Sequence, residues 1–299
     1  MIEVKNLNKS FNTFKVLEDL NLHVKKGSVY GLIGPNGAGK TTLIKLLTGI
    51  YRQDSGTVMI NGKSVFENEN IRASMVYIPD ELYFFSQYSI EEMAKFYASI
   101  YPNWNWERYE RLKHVFSIDV KRRITRLSKG MQKQVAFWLG ICIMPEVMIL
   151  DEPVDGLDPV MRKKVWNLVL QDVYERQTTV LISSHNLREL EDVCNYVGIL
   201  HDGKIVVETE LDDIKSDIHK LQIAFSGEIP EAFLNNVQVL KRTQIGSILM
   251  LIVKGNKEKV LAEIKNANPV LLDILPLTLE EIFIYELGGM GYEIEEVLI

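Results

Sequence analysis

Residues 34–42 read Gly-Pro-Asn-Gly-Ala-Gly-Lys-Thr-Thr, a complete G-x-x-x-x-G-K-[ST] loop. Gly34, Gly37 and Gly39 let the backbone turn its N–H groups inward around a phosphate, and the helix that follows adds its partly positive N-terminal end. Lys40 can then reach the β- and γ-phosphates of a nucleotide, while the Thr41 hydroxyl is placed to ligate Mg²⁺. Asn36, Ala38 and Thr42 belong to the same expected nucleotide-binding loop. A Gly-rich turn before an ordinary helix is the alternative. The apolar run 28–33 before the loop and the helix-forming run 42–50 after it favour phosphate binding.

Such a loop needs a carboxylate to hold the metal, at the end of a buried strand. The run Val147-Met-Ile-Leu-Asp151-Glu152 offers one. Asp151 is the metal-side acid, and Glu152 is placed to polarise water that attacks the γ-phosphate. A second apolar run, 179–184, ends at His185. A lone histidine is more often structural, but at a strand end beside a phosphate site it can donate to the γ-phosphate and hold the attacking water.

These groups must be positioned by strands and helices. Short β-rich runs at 2–7, 21–24, 29–33, 57–60 and 75–78 are separated by Lys26-Gly27, Ser55-Gly56 and Asn61-Gly62 turns. Residues 89–142 read as helical, with Ser89 and Glu92 at capping-box spacing, a helix over Trp106–Phe116, and a third helix starting near Ser128. Strand and helix alternate again from 147 to 207, through 147–150, 160–175, 178–183, 187–195 and 197–200, ending in an Asp202-Gly203 hairpin signal. The expected fold is α/β, a mostly parallel sheet with an N-terminal antiparallel β subdomain and an α-helical insert at about residues 86–142. A small C-terminal α+β domain follows, with strands at 221–225, 237–240, 248–253 and 270–274 and helices near 257–267 and 278–285. The expected boundary separates 1–216 from 217–299.

Composition is that of a globular chain, 46% hydrophobic and 25% charged over 299 residues. The net charge of −6 argues against a general nucleic-acid binder, and the basic stretch 121–126 reads as a solvated turn. Cys142 and Cys194 lie in apolar segments without metal-ligand spacing, so they are expected to be reduced core thiols in a cytoplasmic protein. The strand pattern from residue 2 leaves no room for a signal peptide. The most apolar stretch, 139–150, is interrupted by Pro145 and Glu146 and is too short for a membrane helix. Tyr97, Tyr101, Trp104, Trp106 and Tyr109 are spaced as helical core, and His219 reads as a surface residue.

Over roughly residues 2–213 the chain resembles the ATP-binding subunits of ABC transporters. The segment Leu127-Ser128-Lys129-Gly130-Met131-Gln132 is similar to the family signature Leu-Ser-Gly-Gly-Gln and opens a helix that Ser128 can cap. The resemblance implies that Ser128, Lys129, Gly130 and Met131 receive the γ-phosphate of ATP held by a second subunit's loop. It implies that Asp158, in Gly156-Leu157-Asp158-Pro159, serves a loop joining the two sites. Phe11 sits where the family stacks an aromatic ring on adenine, and a core position in the first sheet is the equal alternative. Lys40, Glu152 and His185 are then catalytic, Thr41 and Asp151 serve Mg²⁺, and Asp80 takes the place of a metal-contacting glutamine.

The sequence departs from the family at three places. Lys129 and Met131 replace a glycine and the glutamine of the signature, a pattern similar to single-domain ATPases of bacterial drug, peptide and bacitracin-type exporters. Asp80 is shorter and charged where glutamine is usual, which puts direct metal contact in doubt. Val154-Asp155 precedes Gly156 where a small polar pair is usual, with no functional account. The aromatic run Leu82-Tyr-Phe-Phe-Ser-Gln-Tyr88 either packs into the helical insert or lines a groove for a permease helix.

The resemblance thus implies a cytoplasmic ATPase, peripheral on the inner face of the membrane, that uses ATP and Mg²⁺. Its expected partners are an integral membrane permease and a second, identical or different, ATPase subunit, with no nucleic acid. A non-transport ATPase of the same superfamily and a nucleotide-sensing regulator are the alternatives.

Overall fold

The computed structural model describes residues 1–213, 218–227, 229–278 and 280–281. It forms two compact units: Met1–Asn186 with Val193–Glu208, and Leu187–Asp192 with the described residues from Thr209 onward.

In the first unit, β1 (Ile2–Phe11), β2 (Phe14–Val24), β4 (Ser55–Ile60) and β5 (Lys63–Ser64) form an antiparallel sheet in the order β2-β1-β4-β5. Alternation buries Ile2 and Val4, and a register shift before Leu7 turns that side chain back into the core. Asn6, at φ 47°, sits in the irregular stretch. β1 and β2 are therefore longer than the sequence pattern suggests, because the bulge breaks the period-two signal.

The second sheet is built from β3 (Val29–Ile33), β6 (Met75–Ile78), β7 (Val147–Asp151), β8 (Thr179–Ser184), β9 (Tyr196–His201) and β10 (Lys204–Glu210), in the order β10-β9-β3-β8-β7-β6. Pairing is parallel from β9 through β6. Every residue of β3, β7 and β8 is buried, which explains their unbroken apolar runs. Asp202 and Gly203, both at positive φ, make the tight turn into β10. β3, β8 and β7 are neighbours, so the segments leaving their C-terminal ends converge, as in other open α/β sheets that bind ligands there.

α1 (Lys40–Leu47) follows β3, and α2 (Glu69–Ala73) precedes β6. The helical insert comprises α3 (Ile90–Ile100), α4 (Trp106–Phe116) and α5 (Lys129–Cys142), capped by Ser89, Asn105 and Ser128. The capping box is complete, with Ser89 N donating to Glu92 Oε2 at 2.8 Å and Glu92 N donating to Ser89 Oγ at 3.3 Å. Trp138 centres this core, stacked against Tyr109 at 4.9 Å and Phe116 at 5.8 Å. The other aromatics depart from expectation. Trp106 is 45% exposed and Tyr97, Tyr101 and Trp104 are half-buried, forming a ladder of ring contacts that borders the core. α6 (Pro159–Arg176) returns to β8 and is tied to α4 by Arg108 Nη2 donating to Asp172 Oδ1 at 2.6 Å.

Cys142 and Cys194 are buried and free, and burial pushes the Cys142 thiol up to about 12. Apart from Ile124 the basic stretch 121–126 is exposed. Among the described residues no helix is long and apolar enough to cross a membrane.

In the second unit, α7 (Leu187–Glu191) is shorter than the expected helix at 187–195. β11 (Ile218–Ala224), β12 (Gln238–Ile245), β13 (Ile248–Lys254) and β14 (Leu271–Leu275) form an antiparallel sheet in the order β12-β13-β11-β14. α8 (Lys257–Asn266) contributes Val260 and Ile264 to a core with Leu221, Ile223, Leu249 and Leu251. His219 is not a surface residue. It is 7% exposed, paired opposite Val253 of β13, with Nε2 2.9 Å from Gly255 O. Most of the helix expected at 278–285 lies outside the described residues.

Candidate active site

The loop between β3 and α1 is held tightly at its base and open at its tip. A Cβ on Gly34 would stand 2.3 Å from Leu200 O, so only glycine fits there. Asn36 and Gly37 are exposed, Ala38 is buried, and Gly39 turns into α1 at φ 106° with no side-chain cap on the helix. The first N–H groups of α1 therefore face outward beside Thr41 and the half-buried Thr42, the geometry that accepts an anion. Lys40 is 7% exposed, and its Nζ donates to Gly34 O at 2.6 Å and Pro35 O at 3.2 Å. Burial pulls this ammonium below its ordinary value, an effect opposed by the nearby carboxylates of Glu152 and Asp151.

Asp151, last in β7, is 3% exposed and accepts a hydrogen bond from Ser183 Oγ on β8. Glu152 follows at φ 44°, a left-handed conformation costing about 1 kcal/mol or more for a non-glycine residue. Hydrogen bonds hold it: Glu152 N donates to Ser183 O at 3.2 Å, and Lys133 Nζ donates to Glu152 O at 2.7 Å. Glu152 Oε1 lies 3.0 Å from His185 Nδ1, while Glu152 Oε2 is buried without a hydrogen-bond partner. An unpaired buried carboxylate oxygen fits a role in gripping water. Burial pushes the Glu152 carboxyl up, partly offset by its bond to His185. That same bond, the largest cause, pushes the His185 imidazole up.

Sequence reasoning left two residues of this neighbourhood unassigned. Asp155 joins Glu152 and His185 in a group whose ligand atoms all lie within 4.8 Å of one another. Its position next to the 156–159 turn shows nothing of this in the sequence. Lys133 is 4% exposed, and besides Glu152 O it meets Asp80 Oδ1 at 3.5 Å. A signal for Lys133 did exist. It lies in i+4 register with buried Phe137 and Ile141, so the apolar face of α5 continues into a lysine.

At the start of α5, Ser128 and Lys129 are exposed, Gly130 and Met131 half-buried, and Ser128 Oγ accepts from Met131 N at 3.3 Å. Asp158 caps α6, accepting from Val160 N at 3.1 Å and Met161 N at 3.0 Å. A cleft of about 520 Å³ lies nearby, lined by Asp80, Tyr83, Lys129, Lys133, Asp155 and Gly156 among others. The aromatic run divides: Tyr83 is 98% exposed, while Phe85 packs against Tyr88 and Phe96. Phe11 is no core residue. It is 40% exposed at the end of β1, with Tyr51 edge-on at 5.4 Å and Lys9 Nζ 5.3 Å from its ring.

Residues 17–155 match the family model described as ABC transporter. The chain is 32% identical to the ABC transporter ATP-binding protein YtrB of Bacillus subtilis, over 97% of this chain and 99% of that protein. It is 33% identical to the bacitracin transport ATP-binding protein BcrA of Bacillus licheniformis, over 72% of this chain and 71% of BcrA. A solved structure of an ATP-binding subunit of an ABC transporter superposes with a TM-score of 0.68 at 31% identity, covering 72% of this chain and 92% of that one.

Proposed function

Because the chain belongs to the ABC transporter family as an ATP-binding, ATP-hydrolysing subunit, we propose that it works in a pair that closes on two ATP·Mg²⁺ and drives a separate integral membrane permease in the export direction. The observation that carries this reading is the convergence of Lys40, Asp151, Glu152 and His185 at the ends of the neighbouring strands β3, β7 and β8.

The residues divide the work as follows. Gly34, Asn36, Gly37, Ala38, Gly39 and Thr42 wrap the phosphates with backbone N–H groups, Lys40 supplies the charge toward the β- and γ-phosphates, and Phe11 stacks on the base. Thr41 and Asp151 would hold Mg²⁺, which when bound neutralises charge on the transferred phosphoryl group. Glu152 takes a proton from the attacking water through its unpaired oxygen, and His185 orients that water and the γ-phosphate.

Ser128, Lys129, Gly130 and Met131 complete the site of the opposite subunit, which their place at a capped helix N-terminus, with Ser128 and Lys129 exposed, favours. Asp158 secures the turn between the two sites. The exposed Tyr83 fits contact with the permease, which would hold the ATPase at the inner membrane face. Names of relatives support export: BcrA is a bacitracin transport protein, and a relative from Streptococcus pyogenes, 30% identical, is a lantibiotic transport protein. Residues 217–299 form an accessory domain in this reading.

The test is Glu152→Gln in the full chain, followed by size-exclusion chromatography with ATP and by mild detergent extraction of membranes with the chain as bait. The expected result is an ATP-dependent dimer with little turnover and a copurifying integral membrane protein. Wild-type turnover by the variant, or a monomer at saturating ATP, would sink the assignment.

A further inference from the structure

Lys133 joins three segments through one ammonium. It comes from the second turn of α5, is almost fully buried, and donates to the backbone oxygen of Glu152 at 2.7 Å, while Asp80 Oδ1 lies 3.5 Å away. A buried ammonium requires acceptors, and among the described residues Glu152 O and Asp80 Oδ1 supply them. Glu152 in turn requires clamping, since it occupies a left-handed conformation at φ 44°. Its N–H is fixed by Ser183 and its carbonyl by Lys133, so the direction of the Glu152 side chain depends on both.

We infer that Lys133 is a positioning residue for ATP hydrolysis, holding Glu152 in its strained backbone conformation, and that Asp80 serves as the counter-ion of Lys133 instead of as a ligand of Mg²⁺. This rests on Glu152 being the base that activates water. The consequence is mechanical. α5 begins with the segment Ser128–Met131 proposed to meet the other subunit's nucleotide, and Asp80 begins the loop that carries exposed Tyr83. Displacement of either segment pulls on the ammonium that keeps the base in place, so the site can be switched without moving the phosphate loop.

The experiment compares Lys133→Met, Lys133→Arg, Asp80→Asn and the double variant Asp80→Asn/Lys133→Met in the full-length chain, with Asp151→Asn and Glu152→Gln as references. Lys133→Met should lower kcat about tenfold or more with KM for ATP within about twofold, because the base is misplaced and the nucleotide loop is not. Lys133→Arg should recover most of that loss. Asp80→Asn should lower kcat less, and its effect should vanish in the Lys133→Met background, since it acts through that residue. Mn²⁺ used in place of Mg²⁺ with ATP, followed by electron paramagnetic resonance, supplies a readout apart from turnover. Asp80→Asn should leave Mn²⁺ affinity within about twofold, whereas Asp151→Asn should weaken it about tenfold or more.

Wild-type kcat in Lys133→Met, or Mn²⁺ binding weakened by Asp80→Asn as much as by Asp151→Asn, overturns the inference. If Lys133→Met does not fold, Lys133→Arg and the Mn²⁺ affinity of Asp80→Asn decide it. Wild-type turnover in Glu152→Gln would instead overturn the underlying functional reading, separately from the role of Lys133.

Discussion

Gly130, in the first turn of α5, lies against Gly156 so closely that a Cβ at residue 130 would stand 2.5 Å from the Gly156 carbonyl oxygen. That contact seats the start of α5 on the turn that leads into α6. Its absent side chain thus has a steric cause within this chain, in addition to any approach of a phosphate. Gly130→Ala must separate the two backbones, and overpacking of this kind costs about 1–3 kcal/mol. The variant should show a lowered urea midpoint together with reduced ATPase activity. An unchanged midpoint would mean that the turn yields freely.

The acid limb of the ATPase pH profile should be displaced upward from that of an unburied glutamate. Glu152 must be ionised to act as base, and burial raises its pKa. Asp155 adds to that rise, and His185 opposes it. Asp155→Asn should therefore move the acid limb of kcat/KM to lower pH, and His185→Gln should move the limb of its residual activity to higher pH. Shifts in the same direction for both variants would contradict the electrostatic account.

Phe11 is presented, not buried, with Tyr51 bracing it from the side. Stacking of a base on such a ring is worth about 1–3 kcal/mol by alanine substitution. Phe11→Ala should thus raise KM for ATP about tenfold while kcat changes little, the pattern of lost uniform binding. Steady-state kinetics over a range of ATP concentrations would reveal a fall in kcat instead, if the ring positioned the phosphates.

Asp172 is 1% exposed and pairs with Arg108 at 2.6 Å and Arg176 at 3.4 Å. Asp172→Ala leaves Arg108, itself mostly buried, without its carboxylate, and breaking a buried pair on one side costs about 3–5 kcal/mol. Replacing Asp172 together with its more buried partner, Arg108→Met with Asp172→Leu, should cost less than the single change. Denaturant unfolding of the three proteins checks the order.

What the sequence determined by itself is local. The phosphate loop, the Ser89–Glu92 capping box, the Asp151-Glu152 strand end and the Asp202-Gly203 turn are each specified by residues a few positions apart, where backbone sterics and nearby hydrogen bonds decide the conformation. Buried parallel strands were equally legible, since both faces are covered and apolar runs are unbroken.

Tertiary structure alone decided which distant side chains meet. Lys133 reaching Glu152 O and Asp80, Asp155 beside His185, Arg108 paired to Asp172, and buried His219 reaching Gly255 O all join residues whose separation in the chain carries no periodic signal. The physical reason is that burial removes water as the competing partner. A charge or ring then takes whichever acceptor the packing brings within reach, and packing is a property of the assembled sheets and helices, not of neighbouring residues.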